Sequence, residues 1–310
     1  MVFKIQKNKL LAPFTTFKVG GKAKYFVEVF SQEEIVKAIN WAKEHGVKFF
    51  IFSGGSNILF PEERLNFLVI RVKNKKHSFL KIILRADAGC NLLDLIYISN
   101  KRGLGGWEKL AGIPGSIGGA IRGNAGAFGT EIKDILIKVL ALNTETQKEK
   151  EFLKKECNFS YRSNFFKKNP KWIITQVFLK LHEVDVQKSD REIKDTIKER
   201  EKRHIQNVRA AGSYFINPKV PKKIQKMFEK EKGVKSYEGR VPAGWLIEKS
   251  GMKGARVGDA LASFQHPNYI LNTGNATSKN VLDLAENIKN SVKKNFGILL
   301  KEEVFIVKNK

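Results

Sequence analysis

Seven glycines fall within eighteen residues of this 310-residue chain, at Gly112, Gly115, Gly118, Gly119, Gly123, Gly126 and Gly129. Backbone that lacks Cβ atoms can close its N–H groups around a bulky anion such as a pyrophosphate. Ser116 and Asn124 lie inside the run and add side-chain hydrogen-bonding groups. A second short loop, Gly54-Gly55-Ser56-Asn57, follows an apolar, β-prone stretch. Tight turns and close packing would account for one glycine more readily than for seven, and a hairpin turn would account for the second loop alone. Together, two such loops point to a dinucleotide with a central pyrophosphate. No GxGxxG opens a helix after a strand and no GxxxxGK[ST] occurs, so neither a Rossmann crevice nor a P-loop is expected.

The elements that must position these loops can be read from periodicity. Residues 25–30 form a predicted strand, and Ser31 with Glu34 forms a capping box that starts a helix. Ile35, Ala38, Ile39 and Ala42 share one face of that helix, and Gly46 is a C′ residue. Residues 47–52 make the next strand, and the Gly54–Asn57 loop follows. Further strands are predicted at 68–72, 82–86, 135–142 and 172–181. A helix is expected over 91–102, ended by Gly103. The character changes near Ser189, where residues 189–206 read as a charged helix with a weak apolar face (Ile193, Ile197) connecting two domains. Helices are expected at 221–231, 242–249 and 277–296, the last ended by Gly297, and a strand at 298–307.

Composition bounds the rest. The chain is 42% hydrophobic with 22 Phe, enough for a sizeable core. Its net charge of +26 favours anionic partners, but the basic residues are interrupted by acids and apolar residues, with no DNA-binding stripe or motif. A nucleic-acid partner is therefore not expected. Cys90 and Cys157 are far apart and form no CxxC, so no zinc ribbon, redox dithiol or other metal site is indicated. The N-terminus lacks an uninterrupted apolar h-region and no stretch approaches a membrane span. A soluble, cytoplasmic protein without membrane insertion is expected.

Seven segments, in order, give the chain a specific resemblance: Thr16–Gly21 (TFKVGG), Gly54–Asn57 (GGSN), Gly112–Gly129, Phe159–Ser163 (FSYRS), Ala211–Pro218 (AGSYFINP), Ala243–Glu248 (AGWLIE) and Lys301–Val304 (KEEV). It resembles the UDP-N-acetylenolpyruvoylglucosamine reductase family nearly end to end. The resemblance implies an α+β protein with an FAD-binding fold of the vanillyl-alcohol oxidase (PCMH) type. That domain would span residues 1–188 in two subdomains, about 1–75 and 76–188. A connector helix and a C-terminal substrate domain would occupy 189–310. Non-covalent FAD, NADPH as hydride donor, a UDP-linked sugar substrate and a monomeric state are implied. Within the first domain, Gly54, Gly55, Ser56, Asn57, Gly112, Ile113, Pro114, Gly118, Gly119, Asn124 and Gly126 are the implied FAD contacts.

The implied reaction reduces an enolpyruvyl ether to a lactyl ether, giving UDP-N-acetylmuramate for peptidoglycan. Hydride adds to the carbon β to a carboxylate, so negative charge develops at the α carbon and the carboxylate. That charge needs fixed cationic or hydrogen-bonding groups, and the α carbon needs an acid. By residue-by-residue match, Arg162 would meet the developing charge, Ser213 would donate the proton, and Glu303 would polarise or protonate the carboxylate. Glu302 is the neighbour that must be told apart from Glu303. Asn217 is the implied substrate-binding asparagine. Lys249 and Arg256 read as solvated surface, Trp107 and Trp245 as core, and His266 as structural or lining the substrate domain.

The sequence departs from the family pattern at Ser53, Arg122-Gly123, Phe128 and Ile216, and the extra tyrosine loop of one family branch is missing. None of these touches Arg162, Ser213 or Glu303. An FAD oxidase with covalently attached flavin is the alternative within the fold. It is disfavoured because the Ser53–Asn57 loop contains no His or Cys.

Overall fold

A computed structural model describes residues 3–202 and 208–309 and divides the chain into two compact units. The first comprises Met1–Lys9, Ala23–Gly55 and Asn66–Lys202, and the second Leu10–Lys22, Ser56–Leu65 and Arg203–Lys310.

In the first unit a four-stranded sheet has the order Gln6–Leu10, Lys22–Val29, Leu65–Val72, Phe49–Phe52, the last pair parallel. Helix Gln32–Glu44 covers it. Ser31 Oγ accepts the Glu34 N–H at 3.3 Å, and the Glu34 carboxylate reaches back to the Phe30 N–H at 2.7 Å. Ile35, Ala38, Ile39 and Ala42 then pack on Val27, Val29, Leu68 and Ile70, as their spacing requires. A second, five-stranded sheet is antiparallel throughout, in the order Glu149–Leu153, Leu136–Asn143, Trp172–Lys180, Ile83–Asp87, His77–Leu80. Its core gathers Leu84, Val139 and Val177 with Leu95 and Ile96 of helix Leu92–Asn100 and Ile117 and Ile121 of helix Ile117–Gly123. The sequence reading did not include the edge strands Gln6–Leu10, His77–Leu80 and Glu149–Leu153. Their side chains are mostly in contact with water, so they carry little apolar alternation.

The charged helix expected at 189–206 runs over Val186–Lys202, and residues 203–206 of that span lie outside the described residues. It differs from a connector. Ile193 is fully buried in the first core, and Ser189 Oγ donates to the buried Glu108 carboxylate at 2.8 Å. The compact first unit runs to Lys202, and the segments Leu10–Lys22 and Ser56–Leu65 group with the second unit.

The second unit packs helices Lys222–Lys232, Ala243–Lys249 and Ser278–Phe296 with a three-stranded antiparallel sheet, Arg256–Val257, Ala260–Ala262 and Ile270–Asn272. Phe17, Leu59, Tyr214, Phe215, Trp245, Leu246 and Ile288 are among its core residues. Thr277 caps the long helix by accepting the Asn280 N–H, and Gly297 ends it in the left-handed region at φ 69°. The strand expected at 298–307 is reduced to Phe305–Ile306, paired parallel with Ile58–Leu59, plus a single bridge between Phe215 and Glu302.

Both cysteines are buried in the first core. Burial, reinforced by the nearby Asp87 charge, pushes the Cys90 thiol up to about 11; burial and Glu156 push Cys157 up to about 12. An unfolded thiol ionises near 9, so the unfolded state sheds these protons first as pH rises. Native stability is expected to be untouched by the thiols below pH ~9 and to fall between pH ~9 and ~12. Urea midpoints at pH 8 and 10 check the sign. Alkylation at pH 8 should reach both thiols only after denaturation; rapid labelling of either in the native protein would contradict their burial.

Candidate active site

The glycine-rich run divides into three local structures. Residues up to Ser116 form a loop; Ile117–Gly123 is a short helix with Ser116 Oγ accepting the Gly119 N–H at 3.3 Å; Gly126–Ala127 and Thr130–Glu131 form a hairpin. Phe128 (φ 50°) and Gly129 (φ 82°) turn that hairpin with both central residues left-handed, as in a type I′ turn. Asn124, at φ 45°, caps the helix.

The Gly54 loop lies directly against the first of these structures. A Cβ on Gly54 would sit 2.7 Å from Gly115 Cα and 3.0 Å from Ser116 N, so only glycine permits this approach of backbone to backbone. Gly115 adopts φ 120°, open to glycine and strained for other residues. The N–H groups of Gly54, Gly55, Gly115 and Ser116 have no hydrogen-bond acceptor among the described residues, and the same holds for Ser56 and Asn57, the next residues of the loop. Backbone N–H groups on two adjacent loops, without acceptors among the described residues, suit the pyrophosphate of FAD.

Three of the sequence-predicted contacts have N–H groups with acceptors inside the protein. The Gly118 N–H donates to Ala88 O at 2.9 Å, the Gly119 N–H to Ser116 Oγ, and the Ile113 N–H to Leu110 O at 3.1 Å. These three groups are already used within the protein. Gly118 is needed for packing: a Cβ there would lie 2.6 Å from Ala88 Cβ. Gly115, which was not among the predicted contacts, has its N–H available instead. Asn124 is fully buried and donates Nδ2 to Glu131 Oε1 and to Ser160 O, both at 3.2 Å, while its Oδ1 has no partner among the described residues. Gly126 is the cross-strand partner of Glu131. Arg122 is half-buried, and desolvation lowers its pKa.

Arg162 belongs to the same unit and is tied to the end of the glycine-rich run. Its backbone is left-handed (φ 53°), closed by a bridge between Ser160 and Ser163. Nη1 donates to Asn124 O at 3.3 Å and Nη2 to Gly126 O at 3.0 Å. Lys167 Nζ donates to Arg162 O at 3.0 Å. Hydrogen bonds to two carbonyls hold the guanidinium as a fixed cation.

Ser213 and Glu303 are brought close together in the second unit. Gly212, at φ 75°, leads into Ser213, whose hydroxyl is half-buried and has no hydrogen-bond partner among the described residues. The next residue, Tyr214, accepts the Glu303 N–H at 2.8 Å through its carbonyl. Asn57 Nδ2 donates to Glu303 O at 3.2 Å, so both ends of the Glu303 backbone are anchored. Asn268 brackets the Ser213 side, accepting the Tyr214 and Phe215 N–H groups and donating to Phe215 O. That bracket, made by a buried asparagine, was not identified from sequence. Glu302 forms an ion pair with Lys289 at 3.1 Å. Burial, with Glu302 nearby, pushes the Tyr214 phenol well above its ordinary range.

Asn217 Oδ1 accepts the Ala243 N–H at 2.9 Å, so only its Nδ2 has no partner among the described residues. Lys249 pairs with Glu231 at 2.8 Å and Arg256 with Asp259 at 3.7 Å, while Trp107 and Trp245 lie in the two cores. His266 packs edge-on against Tyr269. Among the described residues no cluster of His, Cys, Asp or Glu could hold a metal ion, and no helix is long and apolar enough to cross a membrane.

The α+β fold is that of an FAD-dependent oxidoreductase of the PCMH type. A family model described as an FAD binding domain matches residues 23–146. One described as the C-terminal domain of UDP-N-acetylenolpyruvoylglucosamine reductase matches residues 203–307. The reductase of that name from Carboxydothermus hydrogenoformans is 36% identical over 98% of this chain and 94% of its own length. Its namesake from Fusobacterium nucleatum is 33% identical over 98% and 100%. The crystal structure of UDP-N-acetylenolpyruvylglucosamine reductase from Thermus caldophilus aligns with a TM-score of 0.78 at 29% identity, covering 99% of this chain and 100% of that one. The chain belongs to the UDP-N-acetylenolpyruvoylglucosamine reductase family.

Proposed function

We propose that this chain reduces UDP-N-acetylenolpyruvoylglucosamine to UDP-N-acetylmuramate, with NADPH as the source of hydride, in the cytoplasm and as a monomer. The observation that carries the reading is that Ser213, whose hydroxyl has no hydrogen-bond partner among the described residues, lies one residue from the anchor of Glu303 in a chain whose residues 23–146 match an FAD binding domain. Bound FAD supplies the hydride-transfer chemistry.

The backbone donors of Gly54, Gly55, Ser56, Asn57, Gly115 and Ser116 would hold its pyrophosphate, with neighbouring Gly112 and Pro114 shaping the loop. Arg162, fixed by two carbonyls, stabilises the negative charge that develops on the substrate. The Ser213 hydroxyl delivers a proton to the α carbon. A serine is a weak acid, so it needs a partner that re-protonates it or polarises the substrate. Glu303 meets the enolpyruvyl carboxylate and supplies that polarisation. Asn217 Nδ2 contributes a substrate hydrogen bond. Lys249 and Arg256 are already ion-paired and are assigned no substrate role. Ile216 cannot provide the cationic contact that a lysine would, so recognition of the anionic substrate falls to other donors.

A visible absorption spectrum of the purified protein tests the cofactor half of this reading. Flavin bands are expected, with FAD released on denaturation and a spectral shift on titration with the UDP-linked enolpyruvyl substrate. A colourless protein that cannot take up FAD would overturn it. Flavin retained through denaturation would indicate the covalent oxidase instead.

A further inference from the structure

The hairpin that ends the glycine-rich run carries a network for which the reaction, as derived so far, has no use. Glu131 Oε1 accepts from Asn124 Nδ2, and the other carboxylate oxygen pairs with Lys133. The Glu131 N–H is held by Asp134 at 2.8 Å. Asn124 is fully buried in a left-handed conformation that a non-glycine residue keeps only when its surroundings enforce it. Its main-chain carbonyl, together with that of Gly126, holds the Arg162 guanidinium.

Glu131 acts on both carbonyls. It binds the side chain of Asn124, and it stands opposite Gly126 across the hairpin. A Cβ on Gly126 would lie 2.8 Å from Glu131 Cγ and 3.4 Å from Arg162 Nη1, so the carboxylate stem and the guanidinium crowd the same glycine. Without Glu131, the Asn124 amide keeps only Ser160 O as an acceptor, and its peptide is free to re-aim the carbonyl that orients Arg162.

We propose that Glu131 is a positioning residue. Its carboxylate locks Asn124 and the hairpin so that the carbonyls of residues 124 and 126 present Arg162 in one orientation. The inference rests on the role given to Arg162 above. Glu131 itself touches no substrate. Its action is mainly through the hydrogen-bond acceptor at Oε1, which glutamine can reproduce, and only secondarily through charge.

The test compares Glu131→Ala, Glu131→Gln, Arg162→Lys and the double variant Glu131→Ala/Arg162→Lys as flavin-loaded enzymes. Glu131→Ala is expected to lower kcat roughly 10- to 100-fold, the penalty of a displaced catalytic group, with KM and flavin content little changed. Glu131→Gln should restore kcat to within about threefold of the parent, because the acceptor to Asn124 is kept. The double variant should be no slower than Arg162→Lys alone, since the network acts only through that arginine. If Glu131→Ala does not accumulate as folded protein, Glu131→Asp, which keeps the charge but shortens the reach, is expected to show the same loss. Normal kcat in both shortened variants, failure of Glu131→Gln to rescue, or additive losses in the double variant would overturn the proposal. An Arg162→Lys enzyme with unaltered kcat would overturn the role of Arg162, an outcome distinct from failure at Glu131.

Discussion

Ser213→Ala is expected to slow substrate-dependent reoxidation of the reduced flavin by roughly 10²- to 10⁴-fold, the range contributed by a positioned general acid. Reduction of the flavin by NADPH should proceed at the parental rate. The contrast follows from where the hydroxyl sits. It has no hydrogen-bond partner among the described residues, so its removal breaks no hydrogen bond there and should leave the fold intact. Its neighbours stay in place through backbone bonds that alanine preserves: Tyr214 N–H to Asn268 O at 2.7 Å and Glu303 N–H to Tyr214 O at 2.8 Å. Any loss therefore reports on proton delivery. Stopped-flow absorbance at the flavin band separates the two half-reactions. Parental rates in both would show that Ser213 is not the proton donor.

Gly54→Ala should have the second large effect, on cofactor retention. The added methyl meets three consecutive main-chain atoms, Gly115 Cα at 2.7 Å, Gly115 C at 3.1 Å and Ser116 N at 3.0 Å, none of which can rotate away. The two loops must separate, which moves apart the N–H groups proposed to hold the pyrophosphate. Overpacking of this kind costs about 1–3 kcal/mol. If that cost falls on the bound state, FAD affinity drops by roughly 5- to 150-fold, at 1.4 kcal/mol per factor of ten. Gly123→Ala is the matched control. It lies at the end of the same short helix, a Cβ there meets nothing within 4 Å, and alanine favours the helix by up to about 1 kcal/mol. Fluorescence titration of flavin-free protein with FAD distinguishes the two. Unchanged affinity in Gly54→Ala would dissolve the two-loop cradle.

Local chemistry was largely legible in the sequence. Ser31, Glu34 and the 35/38/39/42 stripe specify a helix because a cap and a period are local properties, and Thr277 and Gly297 mark the last helix for the same reason. Long-range assembly was less legible. Nothing in residues 10–22 or 56–65 announces that they join the C-terminal unit, because their partners are about 200 or more residues away in sequence, as with Thr16 Oγ1 on Ala210 O and Phe305 N on Asn57 O. The helix Val186–Lys202 looked like a connector because its composition is so polar, yet Ile193 and Ser189 suffice to fix it to the first core.

The candidate site divides along the same line. Motif content pointed to these loops but not to which of their N–H groups lack an acceptor among the described residues. Gly118, Gly119 and Ile113 match the motif and yet spend their donors internally, a fact of hydrogen-bond geometry that residue types do not encode. Asn217 shows the same limit, since its carbonyl oxygen is taken by Ala243. The ion pair of Glu302 with Lys289 of the last helix is likewise a contact that residue types alone do not reveal.

The account turns on one coupled reaction. NADPH oxidation under anaerobic conditions, followed by mass spectrometry of the nucleotide sugar, tests it most directly. Consumption of one NADPH per UDP-N-acetylenolpyruvoylglucosamine, with a product heavier by two hydrogens and no NADPH loss when the sugar is omitted, is the predicted result. NADPH oxidation that ignores the sugar, or a sugar recovered unreduced by flavin-loaded protein, would contradict it.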